Sequence, residues 1–307
     1  MIIENIMPNR SHLMLNILLL AFLWGPSFLF IKIAVVELPP ITLVALRIGF
    51  SALLLLAILK YQKIPFPRDF KLWKQCFFMG IVASSLPFVL FSLSLQHIDS
   101  ILTSLINGTT PITTIILANY FLKDERFTFN RLFGVLLGFS GFLVLFLPTI
   151  LTGDASSDSF GMACSLGASF CYAIGMVYAR KNIKAPKEPL VLPTLQLFTS
   201  LIYLIPLALF IDPPFNPKAI SLTVWTSIAA LGFLGTAFAF IVYYKIIMKY
   251  GATALSTVTY ILPLFSITLG VLFLEESLSL QFCIATMLIL LGTMVANGLI
   301  PRPRLSF

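Results

Sequence analysis

The chain has 307 residues, of which 59% are hydrophobic and 10% charged, and its mean hydropathy of +1.00 excludes a soluble domain of this length. Its net charge of +8 is spread over several short loops without an RNA- or DNA-binding motif, so a lipid bilayer is the expected partner and nucleic acid is not. The four cysteines, Cys76, Cys164, Cys171 and Cys283, fall in or at the edge of apolar stretches without a CxxC pair or a histidine cluster, which predicts no disulfide framework, no metal site and no cofactor.

A membrane-spanning helix needs roughly 20 mostly apolar residues. Ten such stretches follow one another, at about 13–34, 41–60, 75–95, 100–122, 131–149, 160–180, 190–210, 221–244, 253–274 and 280–299. The first follows Arg10, is too long for a signal-peptide core and has no clear cleavage site, which predicts a retained span. Along it Trp24, Phe28 and Lys32 recur every fourth residue and share one helical face. Lys32 is placed to snorkel to headgroups or to sit at a vestibule. Arg47, in VALRIGF, is the one cation clearly inside a stretch, roughly 9 Å from its outer end. A charge at the helix centre costs about 2.5–3.5 kcal/mol on insertion scales. Arg47 is therefore expected either to clamp freed carbonyls or Glu37, or to face an outer vestibule and attract an anionic group.

The third stretch has a wetter face with Ser84, Ser85, Phe88, Phe91 and Ser92, and the fourth reads SLINGTTPITTI around Pro111. A proline at that depth removes a backbone donor and disturbs the preceding turn. With Asn107 and Thr110 beside it, the break is expected to line a cavity and take part in gating. Gly134, Gly138 and Gly141 in the fifth stretch, and Gly292 and Ala296 in the tenth, permit close helix approach. Those two stretches are expected to be scaffold or a homodimer contact. The sixth matches the first, with Tyr172, Met176 and Arg180 at the positions of Trp24, Phe28 and Lys32. The eighth carries Thr236, Phe240, Tyr243 and Tyr244, and the ninth, STVTYILPLFSI, carries Tyr260 and Pro263.

Residues 79–122 recur at 231–274 without a slip in spacing: Gly80/Gly232, Phe88/Phe240, Ser104/Ser256, Pro111/Pro263 and Leu122/Leu274 are identical pairs. Five spans per half is an odd number, so the halves must cross the bilayer in opposite directions. The expected fold is all-α and integral to the membrane, with ten transmembrane helices in two inverted five-helix repeats, residues 1–150 and 151–307. Basic residues collect at the N-terminus, after every even-numbered stretch and at the C-terminus (Arg302, Arg304), while the opposite loops hold mostly Asp and Glu. Both termini are thus expected to be cytoplasmic.

Three passages carry a family resemblance. The first is LWGPSFLFIK followed by ALRIGFSALLL, the second runs from LGFLGTAFAFIVYYK through YILPLFSITLGVLFLEESLS to LLGTMVAN, and the third, weaker copy ends FLKDERFTFNRLFGVLLGFSGFLVL. Together they resemble the drug/metabolite transporter superfamily, specifically its ten-span EamA-type permeases, over nearly the whole chain. The resemblance implies a central cavity walled mainly by spans one, three, four, six, eight and nine. It also matches Glu125 and Glu276 to an acidic position after the proline-containing span, with a helix-start role expected near spans five and ten.

The expected function is a secondary transporter in a bacterial inner membrane, moving a small polar metabolite by alternating access between the halves. Trp24, Tyr172, Tyr243, Tyr244 and Tyr260 offer aromatic faces to the substrate, and Ser84, Asn107 and Thr110 offer hydrogen bonds. Lys32, Arg47, Pro111 and Pro263 are the vestibule or gating candidates. The resemblance implies amino acids, related metabolites or drugs, mostly outward, with import of S-adenosylmethionine as the alternative and a non-transporting sensor as another. No Asp or Glu lies in the core of a stretch, so facilitated diffusion or exchange is expected in place of a carboxylate proton relay. Without HExxH, GxSxG or an intramembrane His cluster, an enzyme is not expected.

Overall fold

The computed structural model describes residues 10–123, 129–152, 157–184, 188–214 and 216–296. Arg302, Arg304 and Glu125 lie outside them. Helices joined by short turns make up the described residues, with no strand among them, because a chain in lipid must satisfy its backbone groups internally. Spans one to four are His12–Ala34, Pro40–Tyr61, Phe70–His97 and Ser100–Phe121. Span five is Phe129–Thr152. Spans six to nine are Ser159–Asn182, Val191–Ile211, Leu222–Tyr250 and Ala252–Leu274, and span ten is Leu280–Ala296. The chain is a ten-helix, two-repeat membrane protein.

Packing follows the repeat. Span three lies against span six as span eight lies against span one, span four lies against six as nine lies against one, and spans two and seven, four and nine, and five and ten pair across the halves. Corresponding positions also cap corresponding helices. The Asp69 carboxylate accepts from Lys71 N at 2.8 Å to start span three, and its equivalent Ser221 accepts from Val224 N at 3.3 Å to start span eight, each satisfying an orphan donor of the first turn.

Three spans are interrupted. Span one turns at Gly25–Pro26, span four breaks at Gly108–Thr109, and span nine passes through a 3-10 turn at Thr257–Tyr260. Pro111 and Pro263 occupy the first turn of the helix that resumes, where a missing N–H costs nothing. Spans three and eight instead loosen into π-helical turns, Ile81–Ser85 and Phe233–Phe238. These begin at equivalent positions, one residue after the repeated glycines Gly80 and Gly232, and a π turn leaves carbonyls free for other donors.

Spans five and ten pack backbone to backbone: a Cβ at Gly292 would lie 2.3 Å from Gly138 N and 2.6 Å from Gly134 O. The glycine stripe is thus used within the chain. Between spans eight and nine the chain turns at Gly251, with φ 95°, a conformation that an L side chain resists.

On the face bearing the acidic loops, carboxylates from one half cap helices of the other. Glu37 Oε2 accepts from Ser221 N at 2.7 Å, and Asp212 Oδ2 from the Thr42 hydroxyl at 2.8 Å. Glu276 Oε1 accepts from Ser100 N at 2.8 Å and its Oε2 from Ile101 N at 3.0 Å. Glu276 therefore caps span four, not five or ten: with Glu275 in a left-handed turn at φ 54°, the chain folds back and the first free helix N-terminus it meets is that of span four.

Candidate functional site

Trp24 and Tyr172, the equivalent aromatics of spans one and six, meet where the halves face each other, their rings stacked at 6.3 Å and 15°. Around them Phe91 crosses Phe28 at 5.4 Å and lies 5.7 Å from Tyr172. Together with Ser27, Ile31, Arg47, Phe88, Asn107, Met176, Thr259 and Leu262 they bound a narrow cavity of about 30 Å³, room for about one or two water molecules. Phe28 and Met176 are again equivalent residues, so the first helix of each repeat supplies the same stripe to one space. Span two contributes Arg47, whereas span eight stands behind Trp24 with Phe240 and Tyr243, at 6.5 Å and 6.1 Å.

Arg47 is 2% exposed. Its Nε donates to Thr236 Oγ1 at 2.7 Å and its Nη2 to Gly235 O at 3.2 Å, so it uses a carbonyl that the π turn of span eight leaves free. Trp24 Nε1 donates to the same carbonyl at 3.1 Å. The guanidinium lies over the Phe88 ring, 3.7 Å from its centre, an interaction worth about 2 kcal/mol when desolvated. Glu37 is engaged elsewhere, by Ser221. One turn further on, Ser51 Oγ donates to Gly232 O at 2.7 Å.

The second half repeats this arrangement with neutral groups. Gln196 and Ser200 of span seven stand where Arg47 and Ser51 stand in span two. Gln196 Nε2 donates to Ser84 Oγ at 3.2 Å and to Met79 O at 3.3 Å, beside the π turn of span three, and its Oε1 accepts from the Tyr244 hydroxyl. Ser84 and Tyr244 therefore belong to this buried network and do not border the cavity. Thr110 supports Asn107, donating to its backbone oxygen at 2.7 Å and lying 3.0 Å from Oδ1, and Asn107 lines the cavity. Tyr243 packs against Trp24 and its hydroxyl is buried without a hydrogen-bond partner. Tyr260 lies in the 3-10 turn of span nine, a turn that packs against spans one, four and ten.

Lys32 does not turn to the lipid. Its Nζ donates to Leu95 O and Ile98 O, both at 2.9 Å, closing the C-terminal end of span three, where a cation suits the helix dipole. Its equivalent Arg180 does the same for span eight, reaching Met248 O at 3.4 Å. The residues that sequence reasoning missed are Ser27, Thr259 and the pair Gln196 and Ser51. For Gln196 the available signal was a lone amide inside an otherwise apolar span, VLPTLQLFTS.

The model of the EamA-like transporter family matches this chain twice, over residues 12–147 and 159–298. The protein named "Uncharacterized transporter YoaV" from Bacillus subtilis is 23% identical, covering 91% of this chain and 94% of that protein. "Uncharacterized transporter YyaM" from the same organism is 27% identical, covering 96% and 97%. A solved crystal structure shares the fold, with a TM-score of 0.71 at 21% identity over 96% of this chain and 100% of that one.

Proposed function

This chain belongs to the EamA-like transporter family, and on that premise we propose that it is a secondary transporter carrying a small polar metabolite, an amino acid or a related compound, across a bacterial inner membrane by alternating access. The observation that carries this reading is the meeting of Trp24 and Tyr172 from equivalent positions of the two repeats. A ligand bound there touches both halves at once, so rocking one half against the other exposes it to either side of the membrane. Trp24, Tyr172 and Asn107 bind the substrate directly, with Thr110 orienting Asn107 and Tyr243 backing Trp24. Ser84, Tyr244 and Tyr260 act one layer further out. Lys32 and the helix breaks at Pro111 and Pro263 let the ends of spans three, four and nine move as units. The narrowness of the cavity supports a cycle in which its aromatic walls part to admit the substrate.

The basic loops support an orientation with both termini in the cytoplasm. No Asp or Glu occurs within the cores of the spans, which favours exchange or facilitated diffusion over proton coupling; flux that requires an imposed pH gradient would overturn that part. The test of the site is counterflow of a labelled panel, amino acids plus S-adenosylmethionine, in proteoliposomes of the wild type, Trp24→Ala and Asn107→Ala. Saturable flux lost in both variants supports the reading. Flux untouched by either places transport elsewhere in the protein.

A further inference from the structure

Resting on the reading of the cavity as the transport site, we propose that it selects substrates bearing a carboxylate on an apolar body, and that Arg47 with Ser27 receives the carboxylate. Arg47 commits Nε and Nη2 to Thr236 and Gly235, while its Nη1 makes no hydrogen bond among the described residues and the side chain borders the cavity. A guanidinium has five N–H groups and no acceptor. The structural clamp therefore leaves one edge of the fork unsatisfied, in the arrangement that an oxyanion fills.

The Ser27 hydroxyl is buried, lines the same cavity and has no hydrogen-bond partner. A Cβ placed on Gly235 would lie 3.1 Å from Ser27 Oγ and 3.8 Å from Arg47 Nη2, so the hydroxyl and the guanidinium both approach Gly235, and both side chains also line the cavity. Asn107, with an amide side chain, lies on the same lining. No carboxylate is among the described residues lining the cavity, and Glu37, Asp212 and Glu276 of the neighbouring spans are engaged at the membrane face. A buried cation without a counter-charge favours an incoming anion and repels an incoming cation. The equivalent position in the other half is the neutral Gln196, already bonded to Tyr244 and Ser84. The site thus has one positive pole, beside walls of Trp24, Phe28, Phe88, Phe91 and Tyr172 that suit a ring or aliphatic chain.

The test compares 3-phenylpropionate with 3-phenylpropylamine, matched in shape and opposite in charge, by the concentration at which each raises the Tm of the purified full-length protein. The carboxylate is expected to act at a concentration at least about tenfold lower than the amine, with the preference lost in Arg47→Gln. Arg47→Gln also releases the π turn, so Ser27→Ala, which leaves that tie in place, is measured as well. It is expected to weaken the carboxylate by about tenfold without strengthening the amine. An amine that binds as well as the carboxylate, or a wild type stabilised by neither, overturns the proposal. Its failure is distinct from failure of the transport site, which is judged by flux in Trp24→Ala and Asn107→Ala: flux lost in both with no charge preference sinks the proposal alone.

Discussion

One methyl group at Gly292 tests the packing that holds the repeats together. In Gly292→Ala the new Cβ would sit 2.3 Å from Gly138 N, 2.6 Å from Gly134 O and 2.7 Å from Gly138 Cα. These are helix backbone atoms and cannot rotate away. Relaxing them to an ordinary separation of about 3.5 Å moves spans five and ten apart by roughly 1 Å along their contact. Overpacking of this kind costs about 1–3 kcal/mol, against a helix-propensity gain of about 1 kcal/mol for Ala over Gly. The expected net loss is up to about 2 kcal/mol. Gly49→Ala is the matched control, because no atom lies within 4 Å of a Cβ there, leaving only the gain. Thermal unfolding of both variants in detergent should therefore shift in opposite directions. A Gly292→Ala protein as stable as Gly49→Ala would refute the close approach of spans five and ten.

Glu276→Ala uncaps span four and should lower stability by about 1–2 kcal/mol; a double-mutant cycle with Ser100→Ala in thermal unfolding should show coupling above about 0.5 kcal/mol, and strict additivity would deny the contact. Lys32→Met takes the charged donor from Leu95 O and Ile98 O and should lower Tm by the equivalent of about 1–2 kcal/mol, with Lys32→Arg retaining most of the stability; equal Tm for Met and wild type would mean that the side chain lies in the headgroups. Glu275→Gly places glycine at the left-handed end of span nine and should raise stability by about 0.5–1 kcal/mol, whereas a lower Tm would argue that the acidic side chain itself holds that turn.

The ten spans were legible because lipid demands apolar runs of fixed length, and the repeat because Gly80/Gly232 and Pro111/Pro263 keep one spacing. The stripe through Trp24 and Phe28, and its copy through Tyr172 and Met176, also reached the cavity, since residues four apart share a helical face whatever they meet. Which neighbour that face meets is a tertiary matter. Ser84 and Tyr244 sit on the same wet faces as cavity residues, yet they turn to Gln196, an amide whose register in span seven no local pattern reveals. The π turns leave almost no mark on the sequence, because one extra residue in an apolar helix changes neither its length class nor its hydrophobicity. Their one trace is the repeated glycine just before each. Local sequence sets Glu276 beside span ten, whereas its partner lies 176 residues away in the chain.

The central claim is that one cavity between the halves opens to each membrane face in turn. Met176→Cys, in a background with Cys76, Cys164, Cys171 and Cys283 replaced, puts a single thiol on the cavity wall. The measurement is its rate of reaction with a membrane-impermeant thiol reagent added from either face of oriented vesicles, with and without Glu276→Gln, which weakens one carboxylate cap of the acidic face. The account predicts reaction from both faces, and a faster reaction from the acidic face when Glu276 is neutralised. A thiol that reacts from one face alone, unchanged by Glu276→Gln, would contradict it.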